Sequence, residues 1–247
     1  MKKNRRIDPV RFATIALYDY QKEISGKFPI NIRKLALTLS QYEEDPIVEI
    51  KPVEVSEFKA GLFYLKDSKG WVILYNPRVS KMRINFSIAH EVAHYFIHRK
   101  KQTSFECSLF EADFIDAEYM QQEKEADEFA SALLLPNNEF LSFIKGEALS
   151  NELFIRCSEK YNISLTAVLL KWINNTFLEA ALLVEKNNKV LWGRVSNASY
   201  SKGIFFKGNS EISAAKKQLN ILGYSKSFLF GTEDSKIRMQ IFLRNKR

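Results

Sequence analysis

His90-Glu91-Val92-Ala93-His94 is the stretch on which the reading of this 247-residue chain turns. It carries two of the three histidines, and the third, His98, follows four residues later. On an α-helix, residues four apart lie about 40° apart in angle and about 6 Å apart along the axis. His90 and His94 are therefore placed to point two imidazoles at one small cation. Glu91 is turned off that line, within reach of a water beside the cation rather than of the cation itself. Phe86, Ile88, Val92 and Phe96 supply an apolar frame at helical spacing.

Two imidazoles around a glutamate on one helix is the zincin arrangement, in which zinc lowers the pKa of a water and the glutamate acts as general base. Such a zinc needs a third protein ligand and one open position. His98 does not qualify on an uninterrupted helix, because it lies about 12 Å along the axis from His90. Tyr95-Phe96-Ile97 offers no break, so His98 reads as a helix-end residue or as support for a ligand. Glu123-Lys124-Glu125-Ala126-Asp127 supplies the better candidate. Glu123 and Asp127 share a helix face, one as third ligand and the other as the group that orients a ligand histidine. Glu125 is the second choice for the ligand and otherwise reads as solvated. Glu111, Asp113, Asp116 and Glu118 are acidic competitors without a matching helical frame.

Working outward, Gly61–Leu65 and Trp71–Tyr75 flank the turn residues Asp67-Ser68-Lys69-Gly70, which predicts a hairpin. Asp8-Pro9 predicts a helix start, and Asn31 precedes a second helix. Ser87 reads as the N-cap of the histidine helix, and Pro136 ends the carboxylate helix. Phe154 to Trp172 fits a helix-turn-helix with Ser158 and Val168 as packing positions and Asn162 at its turn. Its second helix, Leu165 to Ile173, carries a single lysine, so it reads as core or as a docking face, and direct DNA reading is disfavoured. The hairpin expected around Asn187-Asn188 opens a different, more basic region.

The expected fold class is α+β: a zincin-like metallopeptidase domain (1–147), a helix-turn-helix-like segment (148–176) and a small basic α+β domain (177–247). Residues 1–175 balance at twenty-four Lys/Arg and twenty-four Asp/Glu, whereas residues 176–247 hold thirteen against five, so the whole net charge of +8 sits there. Such a surplus attracts nucleic acid or an acidic protein face, or simply keeps a surface solvated. Cys107 and Cys157 are too few for a disulfide framework and read as buried free thiols, which suits a reducing compartment. No apolar run is long enough to span a bilayer, and Asp8 and Arg11 interrupt any signal-peptide core. A soluble, cytoplasmic protein is expected, with no membrane partner.

Asn85-Phe-Ser-Ile-Ala-His-Glu-Val-Ala-His-Tyr-Phe-Ile-His98, followed by Glu123-Lys-Glu-Ala-Asp-Glu-Phe-Ala-Ser-Ala-Leu-Leu-Leu-Pro136, resembles the ImmA/IrrE family of metallopeptidases. The two blocks in this order are far more specific than either alone. The resemblance spans about residues 10–176 and fades beyond. It implies a gluzincin-like site in which His90, His94 and Glu123 bind Zn2+ and Glu91 is catalytic. It also implies a cytoplasmic endopeptidase whose substrate is a helix-turn-helix, XRE-like transcriptional repressor, cleaved to release stress-response or mobile-element genes. Ala93 stands where the family often has glycine, and Leu135 where methionine is frequent. Both are small apolar changes.

An extended substrate in such enzymes pairs with an edge strand beside the metal helix. Trp71, Val72, Ile73, Leu74 and Tyr75 are the candidate strand, with an ordinary interior strand as the equal alternative. Tyr95, Tyr119 and Arg83 are the candidate donors to an oxyanion. The competing function is a non-enzymatic regulator with a structural zinc, binding DNA or a repressor through the basic C-terminal region.

Overall fold

The computed structural model describes residues 8–24, 28–55, 58–108, 117–206, 210–230 and 237–244. They form two compact units, Met1–Lys145 with Glu159–Ile163, and Gly146–Ser158 with Ser164–Arg247. The helix-turn-helix-like segment expected at 148–176 is thus shared between them. Both units mix helices and sheet, and the fold class is α+β.

In the first unit, α1 (Pro9–Ile24) starts where Asp8-Pro9 predicts. Asp8 Oδ1 accepts from the Arg11 amide at 3.1 Å, and proline fills the position whose N–H would have no helical partner. Helix α2 (Ile32–Ser40) is capped by Asn31, whose side chain accepts from the Lys34 amide at 3.1 Å. A four-stranded sheet follows from β1 (Ile47–Pro52), β2 (Phe58–Leu65), β3 (Gly70–Tyr75) and β4 (Ser104–Ser108), in the order β1-β3-β2-β4.

Strands β2 and β3 form the expected hairpin, and β1 adds to the other side of β3 in parallel. This overturns the expectation of an edge at Trp71, Val72, Ile73, Leu74 and Tyr75. These residues pair on both sides, Ile73 with Leu62 and with Ile50, so no backbone groups remain for a peptide. A hairpin reveals only its own partner; β1 meets the other side of β3 only after the chain has passed through β2, and leaves no local signal.

Helix α3 (Lys81–Ala93) packs on β2 and β3 and carries the motif at its C-terminal end. Its N-cap is Ser80, not Ser87, because Lys81, Met82 and Arg83 are good helix formers that extend it two turns upstream. It runs into a π-helical turn, His94–His98, where an uninterrupted α-helix was expected. Helix α4 (Ala117–Leu134) lies against α3 and α1, and α5 (Asn137–Ile144) follows Pro136. Leu62, Ile73, Ile88, Ala89, Val92, Phe129 and Leu133 are completely buried and form the layer between helices and sheet.

The second unit is built on α6 (Asn151–Tyr161) as far as Ser158, on α7 (Leu165–Asn175) and on a second sheet. Asn162, at φ 50°, makes the turn between the helices, and Ser164 caps α7 by accepting from the Ala167 amide at 3.2 Å. Val168, Leu169, Trp172 and Ile173 bury one face of α7. Burial also draws the Lys171 ammonium down to about 8, so the lone lysine of this helix is not a free surface cation.

Strands β5 (Ala180–Lys186) and β6 (Lys189–Val195) are joined through Asn187-Asn188, both at positive φ, the conformation whose twist matches a tight hairpin. The short helix α8 (Asn197–Tyr200), then α9 (Ile212–Ile221), β7 (Tyr224–Phe230) and β8 (Ile237–Arg244) complete the unit, with sheet order β6-β5-β8-β7. Ala181, Leu183, Val190, Leu219, Tyr224 and Phe242 form its core.

Candidate metal centre

The histidines reach the centre from α3 and the π-helical turn; the carboxylates reach it from α4, which packs alongside. His90 Nε2 and His94 Nε2 lie 3.0 Å apart. Glu123 bridges them from α4, with Oε2 3.2 Å from His90 Nε2 and Oε1 3.3 Å from His94 Nε2. The three ligand atoms converge within 4.8 Å of one another, a spacing that can hold a metal ion. Asp127, one turn beyond Glu123, puts Oδ1 2.9 Å from His90 Nδ1 on the outer side of that ring. The ring of Phe105 on β4 stacks on His94, with centroids 4.6 Å apart, and forms an apolar wall.

Glu91 is 1% exposed, and neither of its carboxylate oxygens has a hydrogen-bond partner. Burial pushes its pKa up to about 8, with the neighbouring His90 charge pulling down and Glu123 pushing up. The other groups divide according to what touches them. Burial disfavours charge on His90, but hydrogen bonds to Asp127 and Glu123 and the charge of Glu91 outweigh it, raising the pKa to about 10. Burial lowers His94 to about 4 despite its hydrogen bond to Glu123. Glu123 sits far below the usual carboxylate range, because hydrogen bonds and charge from both histidines overcome its burial.

These shifts supply the fit test for a metal. A carboxylate only accepts, so Asp127 requires the His90 Nδ1–H and leaves Nε2 as the inward-facing atom. That Nε2 meets another imidazole nitrogen and a carboxylate at 3.0–3.2 Å. Three electron-pair donors converge with a positive charge demanded between them; in the metal-free protein a proton on His90 supplies it. Two imidazoles and a carboxylate are a proper donor set for a borderline divalent cation. The residues fit a metal.

The family model of the IrrE N-terminal-like domain, peptidase family M78, matches residues 44–172. The chain belongs to this family. The matched span starts three residues before β1, ends at Trp172 in α7, and contains the whole centre. Among curated proteins no sequence matches the chain. Among solved structures, a Mycobacterium tuberculosis transcriptional regulator superposes with a TM-score of 0.55 at 12% identity, over 95% of this chain and 76% of that one. At that identity the likeness is one of fold. Membership of the M78 peptidases supports a metallopeptidase or a regulatory role.

Several expected residues fall elsewhere in this M78 chain. Glu125, expected to be solvated, is only 9% exposed and faces His98, with Oε2 3.1 Å from His98 Nε2. The cause is the packing of α4, which turns both its 123/127 side and Glu125 towards the histidine segment. His98 lies outside the three-ligand cluster, with Nδ1 3.1 Å from His94 Nδ1.

Tyr95 is not placed for an oxyanion. Its hydroxyl donates to the Asp45 carbonyl at 3.0 Å, on the side of α3 that meets the sheet. Tyr119 donates to the Glu106 carbonyl at 3.4 Å, and Arg83 is exposed two turns upstream of His90. Glu118 pairs with Lys101 at 2.8 Å, while Glu111, Asp113 and Asp116 lie outside the described residues, as does the side chain of Cys107. Cys157 is buried and forms no disulfide.

Sequence reasoning gave no sign of a network at the far end of the metal helix. The Arg99 guanidinium pairs with Glu43, donates from Nε to Asp45 at 3.1 Å, donates to the Tyr95 carbonyl at 3.0 Å, and stacks over the Tyr95 ring. Trp71 Nε1 donates to the same Asp45 carboxylate at 2.9 Å. The one local signal was Arg99 following His98 directly.

Proposed function

We propose that this protein is a zinc-dependent endopeptidase that cleaves a helix-turn-helix transcriptional repressor in the cytoplasm and so releases stress-response or mobile-element genes. The observation that carries the reading is Glu91, a buried carboxylate with two unpartnered oxygens beside a three-ligand cluster. A purely structural metal has no use for such a group and closes with a fourth ligand. A catalytic one needs three protein ligands and a base.

His90, His94 and Glu123 would hold the zinc, whose Lewis acidity polarises a peptide carbonyl and acidifies a water. Glu91 takes a proton at its free carboxylate oxygens and returns it to the departing amine. Its pKa of about 8 lies near a neutral working pH, where a general base and acid is most effective. Asp127 holds the His90 ring by accepting from Nδ1, and Phe105 shields His94 from water. Since β3 is interior, β4 takes the role of substrate edge. It pairs with β2, has no second strand partner among the described residues, and carries Phe105 against the metal helix. An extended segment of repressor adding to β4 would pass the centre.

Among the described residues no helix is long and apolar enough to cross a bilayer. The non-enzymatic alternative draws on the fold likeness to a transcriptional regulator and on the basic C-terminal region. Four of its cations are engaged with two glutamates, although the surplus of eight is net of those glutamates. Lys202 and Arg244 pair with Glu179 at 2.6 and 2.7 Å, and Arg238 and Lys216 lie 2.8 and 3.5 Å from Glu185.

The deciding experiment is Glu91→Gln with a co-expressed candidate repressor. Zinc content should match that of the parent while cleavage is lost; a variant that cleaves as fast as the parent sinks the mechanism.

A further inference from the structure

The two histidines of the cluster are supported differently. His90 has a carboxylate directly behind it, Asp127. His94 has another imidazole, His98, and behind that Glu125 and Gln121. His98 is 1% exposed, so its partners are fixed by the protein rather than by solvent.

The directions of these hydrogen bonds follow from elementary donor counting. Gln121 Nε2 donates to Glu125 Oε1 at 2.7 Å, leaving Oε2 to face His98 Nε2 at 3.1 Å. A carboxylate can only accept, so His98 Nε2 carries the hydrogen. A neutral imidazole has one N–H, so His98 Nδ1 is bare and accepts. Its neighbour at 3.1 Å is His94 Nδ1, which must therefore be the donor. His94 then carries its hydrogen on Nδ1 and presents a bare Nε2 to His90 and Glu123.

We infer that a hydrogen-bond chain running one way from His94 through His98 to Glu125, with Gln121 donating to Glu125 from the other side, sets the tautomer and orientation of His94, making His98 and Glu125 positioning residues for the metal. The inference rests on the zinc-site reading above. The chain does for His94 what Asp127 does for His90, but through a buried relay two side chains long. The π-helical turn His94–His98 contains both rings of the relay, with centroids 5.0 Å apart. The alternatives for His98 are distinct. A hydrogen on Nδ1 would force His94 to accept there and to carry its own hydrogen on Nε2, which blocks ligation.

The protein's three histidines make the test direct. Long-range 1H–15N spectra of the zinc-loaded full-length protein should show His98 as the Nε2–H tautomer with a bare Nδ1, and His94 protonated on Nδ1. A His98 protonated on Nδ1, alone or on both nitrogens, overturns the inference. In parallel, zinc affinity is read by competition with a chelator, using His98→Phe to keep the ring volume and Glu125→Gln to keep the shape. Each should weaken zinc by about 10–100-fold, the range for groups supporting a metal ligand.

The double variant should be no weaker than His98→Phe alone, since both act through one chain. Adding Asp127→Asn, which acts through His90, should multiply the loss. Should His98→Phe fail to fold, the near-isosteric Glu125→Gln and the spectra of the parent still decide. Unchanged affinity in a zinc-binding parent background overturns the relay alone. A parent that binds no zinc overturns the function reading beneath it.

Discussion

The two units handle buried polarity in opposite ways. In the second unit the core between sheet and α9 is apolar, built from Ala181, Leu183, Leu219 and Phe242, and its buried carboxylate, Glu185, faces the partly exposed Lys216 and Arg238. In the first, five ionisable side chains (His90, Glu91, His94, His98 and Glu125) are packed at 9% exposure or less where α3 and its π-helical turn meet α4. Burying that many titratable groups is costly unless they satisfy one another. All but Glu91 do so, in two chains that meet at one point. The first region is organised around a charge it must hold, the second around the exclusion of water.

The largest effect should come from breaking that point. Glu123→Ala should abolish stoichiometric zinc binding, read by metal analysis of the purified protein, whereas the C-terminal variant Leu183→Ala should leave zinc content untouched. Zinc retained by Glu123→Ala would mean that the ligand set is wrong. Leu183→Ala sharpens the other side of the contrast. Removing a completely buried side chain should cost about 2–5 kcal/mol in denaturant unfolding of the second unit. A loss far below that range would show that this core is not close-packed.

A smaller, graded effect is expected from pH on the metal-free protein. His90 is raised from 6.5 to about 10, so the stability it contributes is fully present below pH 6.5 and is lost as pH rises through 10. Glu91 is raised from 4.5 to about 8, so the folded protein binds the extra proton between those values and stability again falls as pH rises. Both groups give the same sign, with a slope of at most about 1.4 kcal/mol per pH unit for each. Below pH 6.5 the lowered His94 and His98 oppose Glu91, so melting temperature should fall between pH 7 and pH 9, and Glu91→Gln should flatten the lower part of that range. A metal-free protein that gains stability over this interval contradicts the arrangement of charges.

Helical spacing made the inner part of the centre legible in advance. A separation of four places His90 with His94 and Glu123 with Asp127, and the structure brings these four side chains together. Spacing within α4 did not reveal that Glu125 would also be buried, because that depends on which neighbour covers its side of the helix. The edge assignment failed for a related reason: the parallel pairing of β1 with β3 joins residues separated by a whole connection. Asn31, Ser164 and the Asn187-Asn188 turn were readable because caps and tight turns are decided within three or four residues. His98 was correctly kept out of the cluster, although the helix there widens rather than continuing as assumed.

The Asp45 junction bears on how such a cleft would meet its peptide. One carboxylate holds the indole of β3 and the guanidinium just beyond the last histidine, while its backbone carbonyl holds the Tyr95 hydroxyl. The metal helix is therefore bolted to the sheet at the very turn that carries His94 and His98. Its tilt cannot change without stripping a guanidinium that is 7% exposed of its counter-charges. The contact between the histidine segment and Phe105 of β4 is then held rigidly rather than hinged. If the proposed peptidase reading holds, selectivity would come from which peptides can reach β4 in extended form, because the metal helix cannot shift to accommodate a folded one.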